Sequence, residues 1–178
     1  MSKFLGYLKT VVKHKHYVRK YCFKARLYKQ GLTHDLSKFS PTEFIESVKY
    51  YNGIESPIKS CKEENGWSKA WLHHKGRNKH HYEYWQDNFD LGGQAIQMPY
   101  KYALEQVCDY LGAGQAYMQA NFSYEKEYEW WKNKISNPIA MHVNSMVFTE
   151  VMLKLMLEEN SDDVLRPERS KVIYDLID

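Results

Sequence analysis

A chain of 178 residues with 25 basic and 22 acidic side chains and a formal charge of +3 fits one domain that buries a core without disulfides. The near balance of charge argues against a dedicated nucleic-acid binder, which concentrates a basic excess. Three scattered cysteines, Cys22, Cys61 and Cys108, form no CxxC, which excludes a zinc ribbon or a thioredoxin-like site and suits a reducing compartment.

Helical periodicity dominates from the start. Residues 2 to 30 repeat apolar side chains at mixed three- and four-residue spacings, predicting one long helix that stops at Gly31. Between Lys3 and Lys29 this segment carries seven Lys, two Arg and no acid, either a solvated helix face or an anion-attracting surface. The opening residues lack the apolar core of a signal peptide, and no stretch approaches the ~18 apolar residues that span a bilayer. A cytoplasmic location without a membrane partner is expected. Ser40-Pro41-Thr42-Glu43 reads as a helix start, with Ser40 as cap, Pro41 at the first helical position and Glu43 completing a capping box. That helix should end near Tyr51. Residues 53 to 66 read as a loop punctuated by Pro and Gly. A helix is expected from Trp67 to His74, resuming through Trp85 after a disturbance at Gly76. Gly92-Gly93 and Pro99 bracket another loop. A long, mostly buried helix should follow Pro99, a Trp-rich one Ser123, another Asn137-Pro138 as far as about Glu159, and a short last one Arg166 to Leu176. No strand, repeat or low-complexity tract stands out. The expected fold is an all-α bundle of about six to eight helices in one domain, with a motif-bearing core at about 5–120 and C-terminal helices 123–178 packed on it.

Seven of the eight histidines fall into three clusters: His14 with His16, His34, and His73, His74, His80 and His81. The eighth, His142, stands on an apolar helix and reads as an ordinary hydrogen-bonded histidine. The informative dipeptide is His34-Asp35, because imidazole and carboxylate together suit Fe, Mn and Zn. His14 and His16 would point about 200° apart on a helix, so both cannot face one centre. If the segment from His73 is helical, His74, Asn78 and His81 form one stripe, and His73, Arg77 and His80 the adjoining one. Which histidine of the pairs 14/16, 73/74 and 80/81 is a ligand stays open.

His34-Asp35-Leu36-Ser37-Lys38 resembles the HD-x-G-K motif of HD-domain phosphohydrolases, with Ser37 in place of the usual Gly. Val107 to Ala113 is similar to that superfamily's helix bearing the final Asp, here Asp109, and the binuclear branch places extra histidines in the interval where His73, His74, His80 and His81 lie. More narrowly, H-K-x-x-V at His14, HDLSKFSPxEF at His34, HHxxxNxHHxxYW at His73 and the DYLGAG segment resemble the bacterial and phage domain of unknown function 5662 over residues 5 to about 120. That narrower family brings no established activity. The H-K-x-x-V spacing favours His14 over His16. The broader resemblance implies one or two divalent transition metal ions (Mn, Fe, Ni, Co or Zn) held by His14, His34, Asp35, Asp109 and members of the His73, His74, His80, His81 group.

Such a site implies hydrolysis of a nucleotide or other small phosphate ester by a metal-activated water. Asp35, Lys38 and Arg77 are the candidate catalytic residues, and Lys38, Arg77, Asn78 and Tyr84 the candidate substrate contacts. Two other functions share the sequence. A non-haem di-iron oxygenase would use the same ligands, and a non-catalytic, metal-stabilised module would bind protein or nucleic acid through the basic first helix. Trp130, Trp131 and the Met-rich stretch from Met141 to Met156 are expected in the interior, with an oligomer face as the alternative. The residues after 120 are expected to contribute packing.

Overall fold

The computed structural model describes residues 2–87, 90 and 92–177. Among them are nine α-helices: α1 Lys3–Lys24, α2 Tyr28–Thr33, α3 Pro41–Tyr50, α4 Pro57–Asn65, α5 Lys69–Lys75, α6 Tyr100–Met118, α7 Tyr124–Ile135, α8 Val143–Glu159 and α9 Pro167–Ile177. The described residues contain no strand, only one isolated bridge between Gln86 and Ala95. None of the helices is long and apolar enough to cross a membrane.

Two helices more than the seven placed individually from sequence arise for local reasons. The first predicted helix is two, because Arg26 takes a left-handed backbone (φ 56°) that interrupts the hydrogen-bond ladder; Gly31 lies inside α2 and does not end it. The loop expected at 53–66 contains α4. Its Pro57 occupies the first turn, where a missing N–H costs nothing, and Gly66 closes it in the left-handed region (φ 78°). The residues read as loop punctuation are thus helix boundaries. Downstream of α5 the helix does not resume; only a single 3-10 turn, Tyr82–Tyr84, follows. Helix α8 begins at Val143, later than the Asn137-Pro138 start, where the His142 ring accepts from the Asn144 N–H and caps it.

Helix α6 is the axis of the fold. From Ala103 to Gly112 every one of its residues is buried, so it has no solvent face and carries polar side chains into the interior. Helix α1 lies against it on a stripe of Tyr7, Val11, His14, Val18 and Tyr21, spacings of three and four that keep one face inward. The two backbones come close at Gly112. A Cβ there would stand 2.4 Å from Val18 Cγ2 and 2.9 Å from the Val18 nitrogen. An apolar cluster runs from Val18 and Tyr21 through Leu104 and Leu111 to Trp131, Phe148, Met152, Met156 and Tyr174. Trp131, Met141, Met152 and Met156 are therefore interior residues, while Trp130 is 43% exposed. Several cations of the basic amino-terminal segment are paired: Lys24 with Asp162 and Asp163, and Arg26 with Glu168.

Candidate metal centre

Four segments deliver histidines and aspartates to one buried point beside α6. The inward stripe of α1 carries His14, which is buried, while His16 is exposed. Helix α2 ends at His34, and the next residue, Asp35, adopts a left-handed backbone (φ 54°, ψ 27°). That reversal, which Asp tolerates better than most residues, lets two adjacent side chains point to the same centre. Helix α6 supplies Asp109. Helix α5 supplies His74 and stops at Lys75; the turn that follows then brings His80 and His81 back beside it, with the rings of His74 and His81 4.8 Å apart. The stripes expected of a continuous helix are therefore absent, and His80 and His81 reach the site together.

The donor atoms form two groups that share Asp35. In the first, His14 Nε2 lies 3.2 Å from Asp35 Oδ2 and 3.1 Å from Asp109 Oδ1, and His34 Nε2 lies 3.4 Å from Asp35 Oδ2 and 3.2 Å from Asp109 Oδ1. In the second, the other Asp35 oxygen, Oδ1, lies 3.3 Å from His74 Nε2 and 3.4 Å from His80 Nε2, with His81 Nε2 2.9 Å from His74 Nε2. Ligands held about 2.0–2.2 Å from one cation stand roughly 3.0–3.5 Å from each other. The spacing of both groups falls in or close to that range.

Two glutamates fix which ring nitrogen faces the centre. Glu105, one helical turn before Asp109, lies 3.1 Å from His34 Nδ1 and 3.3 Å from His80 Nδ1. Glu43 lies 2.6 Å from His73 Nδ1 and 2.7 Å from His74 Nδ1. A carboxylate only accepts, so each of these Nδ1 atoms carries the proton and the Nε2 of His34, His74 and His80 is a bare lone pair when the ring is neutral. Those lone pairs then face carboxylate oxygens. Asp35 Oδ1 and His80 Nε2 are buried and have no hydrogen-bond partner, which is costly unless a cation or proton lies between them. Charge points the same way. Asp35, Asp109, Glu43 and Glu105 bring four negative charges into a buried region, where Lys38 Nζ, 2.6 Å from Asp35 Oδ2, is the ammonium in contact with them. The residues fit a divalent cation.

Electrostatics follow from this crowding. Burial opposes charge on His34, yet Asp35, Asp109 and Glu105 outweigh it and hold the pKa well above the ordinary histidine value. His74 is raised in the same way, by Asp35 and Glu43 against its burial. Burial together with the neighbouring His80 and His74 drives His81 well below. Asp35 and Asp109 are held well below the usual carboxylate range despite burial, by His34, Lys38 and His74 for the former and by His14, His34 and His80 for the latter.

The remaining sequence-predicted residues divide. Lys38 lines a cleft of about 190 Å³ together with His14, His74, His81 and Asp109. His73 stands apart from the converging donors and instead holds Glu43. Asn78 donates to Ser37 Oγ at 2.8 Å and to the His74 carbonyl at 2.9 Å, a brace for the turn. Arg77 bonds the His73 carbonyl at 3.3 Å and lines, with Asn78, a different cleft on the Glu105 side. Tyr84 packs on Trp85 with ring centroids 5.3 Å apart and borders neither cleft. Sequence reading missed both glutamates. Glu105 carried a signal, four residues before Asp109 and so on the same helix face. Glu43 was assigned to a capping box; its N–H does bond Ser40 Oγ at 3.4 Å, but its carboxylate turns to the histidines.

A family model described as a family of unknown function, DUF5662, matches residues 3–155. The match reaches past the 5–120 segment that carries the motifs, through α7 and most of α8. No curated protein and no solved structure matches the chain.

Proposed function

Because the chain belongs to DUF5662, a family whose description assigns no activity, its chemistry has to come from the site, and we propose a metal-dependent phosphohydrolase of the HD-domain type acting on a nucleotide or other small phosphate ester. One observation carries this reading: seven histidine and aspartate side chains from α1, the α2 end, the α5 turn and α6 converge in two groups, one on each oxygen of Asp35. Their order along the chain, His, His-Asp, three His and Asp, is the order that the HD resemblance implies. A pair of Mn, Fe, Ni, Co or Zn ions is the occupancy that two groups sharing one carboxylate support.

A divalent cation bound there would supply Lewis acidity, making water a nucleophile near neutral pH and stabilising charge on phosphoryl oxygens. The chain's own residues do the rest. Glu43 and Glu105 lock the imidazoles with Nε2 inward, so no reorientation is needed when substrate arrives. Lys38 steadies Asp35 and presents its ammonium to the adjoining cleft, where an anionic oxygen can share it. Asp35 and Asp109 keep their carboxylates ionised.

The test is turnover of a broad phosphoester panel by protein loaded with Mn, Fe, Ni or Co. Hydrolysis is expected with at least one metal, and His34→Ala or Asp35→Ala should lower it by at least ~100-fold. Metal-loaded protein that hydrolyses nothing, or that consumes dioxygen instead, contradicts the proposal.

A further inference from the structure

Helix α7 was expected only to pack, yet it brings an unusual carboxyl to the edge of the metal centre. Glu127 is 2% exposed, and its carboxyl, turned to a cleft, makes no side-chain hydrogen bond or ion pair among the described residues. It lines a cleft of about 580 Å³ between α6, α7 and residues 54–59, within the size range of small-molecule sites. Gly114 makes the position possible: a Cβ there would stand 1.9 Å from Glu127 Oε2.

The cleft is walled by flat rings. Trp71, Tyr82, Tyr110 and Trp130 border it, and Tyr110 and Trp130 meet edge to face with centroids 5.0 Å apart. Lys134 Nζ lies among them, 5.4, 5.7 and 5.5 Å from the ring centres of Tyr82, Tyr110 and Trp130. His81 and Asp109 border this cleft and also the smaller one beside Lys38. A ligand can therefore reach from the aromatic walls to the metal-binding side chains.

We propose that this cleft holds the non-reacting part of the substrate and that Glu127 is its specificity residue, its carboxyl exchanging hydrogen bonds with the edge of a flat nitrogen heterocycle, a nucleobase, stacked on the ring of Trp130 with Tyr110 against its rim. The claim deepens the phosphohydrolase reading by naming the part of the substrate that is recognised away from the phosphorus. The chemistry is restrictive. A buried carboxyl without a partner is costly, and a ligand with N–H donors in an aromatic slot removes that cost, whereas an apolar ring leaves it in place. Burial, helped by the charge of Asp109, pushes the Glu127 pKa up to about 8, so near neutral pH the carboxyl is protonated, its hydroxyl donating and its carbonyl oxygen accepting.

Nucleosides test this separately from catalysis, because they carry no phosphate. Guanosine, adenosine, cytidine and uridine are titrated into full-length protein, with Trp fluorescence and calorimetry as readouts. At least one is expected to bind, with its affinity reduced ten-fold or more in Glu127→Leu, which removes every hydrogen-bonding atom, and in Trp130→Ala, whose side chain is partly exposed. A melting temperature of each variant near that of the wild type confirms an intact fold; a variant that melts early is replaced by Gly114→Ala, which crowds the Glu127 carboxyl and should weaken binding likewise. If none of the four nucleosides binds while phosphoesters are hydrolysed, the cleft assignment fails and the phosphohydrolase reading stands. If nucleosides bind as proposed but no phosphoester is cleaved, the reverse holds. Binding unchanged in the folded variants overturns the role of Glu127.

Discussion

A neutral imidazole with its Nδ1 proton committed to a carboxylate has one lone pair left, on Nε2, and a proton and a divalent cation compete for it. In the ion-free protein the proton wins at His34 and His74, whose pKa values lie above the ordinary one of about 6.5. Both raised values mean that the stability these two histidines contribute is complete below about pH 6.5 and is lost as pH rises through their folded values. The depressed Asp35 and Asp109 act oppositely, with a contribution present above about pH 4 and lost as pH falls through their folded values. Metal binding must expel the histidine protons. The stabilisation that a fixed concentration of Mn or Zn gives should therefore grow from pH 6 to pH 8, as thermal melts with and without metal would show; a shift that shrinks with rising pH would contradict the assigned tautomers. Calorimetry in buffers of different ionisation enthalpy should also detect protons released on binding. Glu105 acts through His34 and His80, so Glu105→Gln should leave the helices intact while weakening metal affinity about 10–100-fold. Equilibrium dialysis against a chelator reads that loss, and unchanged affinity would remove Glu105 from the account.

At the scale of helices, the closest packing in the site's frame is that of α1 on α6 at Gly112. Adding a methyl group there drives it into Val18, including the Val18 backbone nitrogen, which no side-chain rotation relieves. Gly112→Ala should cost about 1–3 kcal/mol in chemical denaturation, and should also weaken metal binding because His14 rides on α1 and Asp109 on α6. A neutral substitution would show that the two helices separate without penalty. The same elements show what the sequence made readable. The 3.6-residue period revealed α1 and α6, the Ser40-Pro41 start revealed α3, and the 200° divergence meant that only one of His14 and His16 could face the centre. What it could not reveal was the backbone reversal at Arg26, the helix α4 hidden between Pro57 and Gly66, or the turn that carries both His80 and His81 inward. Each depends on a single residue's φ or on packing from distant segments, and neither leaves a periodic trace. Glu43 was legible as part of a helix start, but its partners are 30 and 31 residues away.

Across the whole molecule, the site joins segments from residues 14 to 109, and the chain pays for four buried carboxylates and five histidines that no apolar core would need. Such a cluster contributes to stability when its charges are matched, and a bound ion matches them in the native state alone. Ligand linkage then gives stabilisation of RT ln(1 + [L]/Kd), about 4 kcal/mol at a thousand-fold excess over Kd. Residues beyond 120 adjoin the site, since α7 walls the cleft that opens beside Asp109, and the family match continues to residue 155.

Side chains arranged in this way should hold metal, and the metal content of the protein measures whether they do. Protein saturated with Mn, Fe, Co, Ni or Zn, freed of excess ion by gel filtration and measured by mass spectrometry, is expected to retain one to two equivalents per chain, falling below about 0.2 in Asp35→Ala because Asp35 serves both groups. Wild-type protein that retains none of the five metals, or an Asp35→Ala variant that retains as much as wild type, would contradict metal binding there.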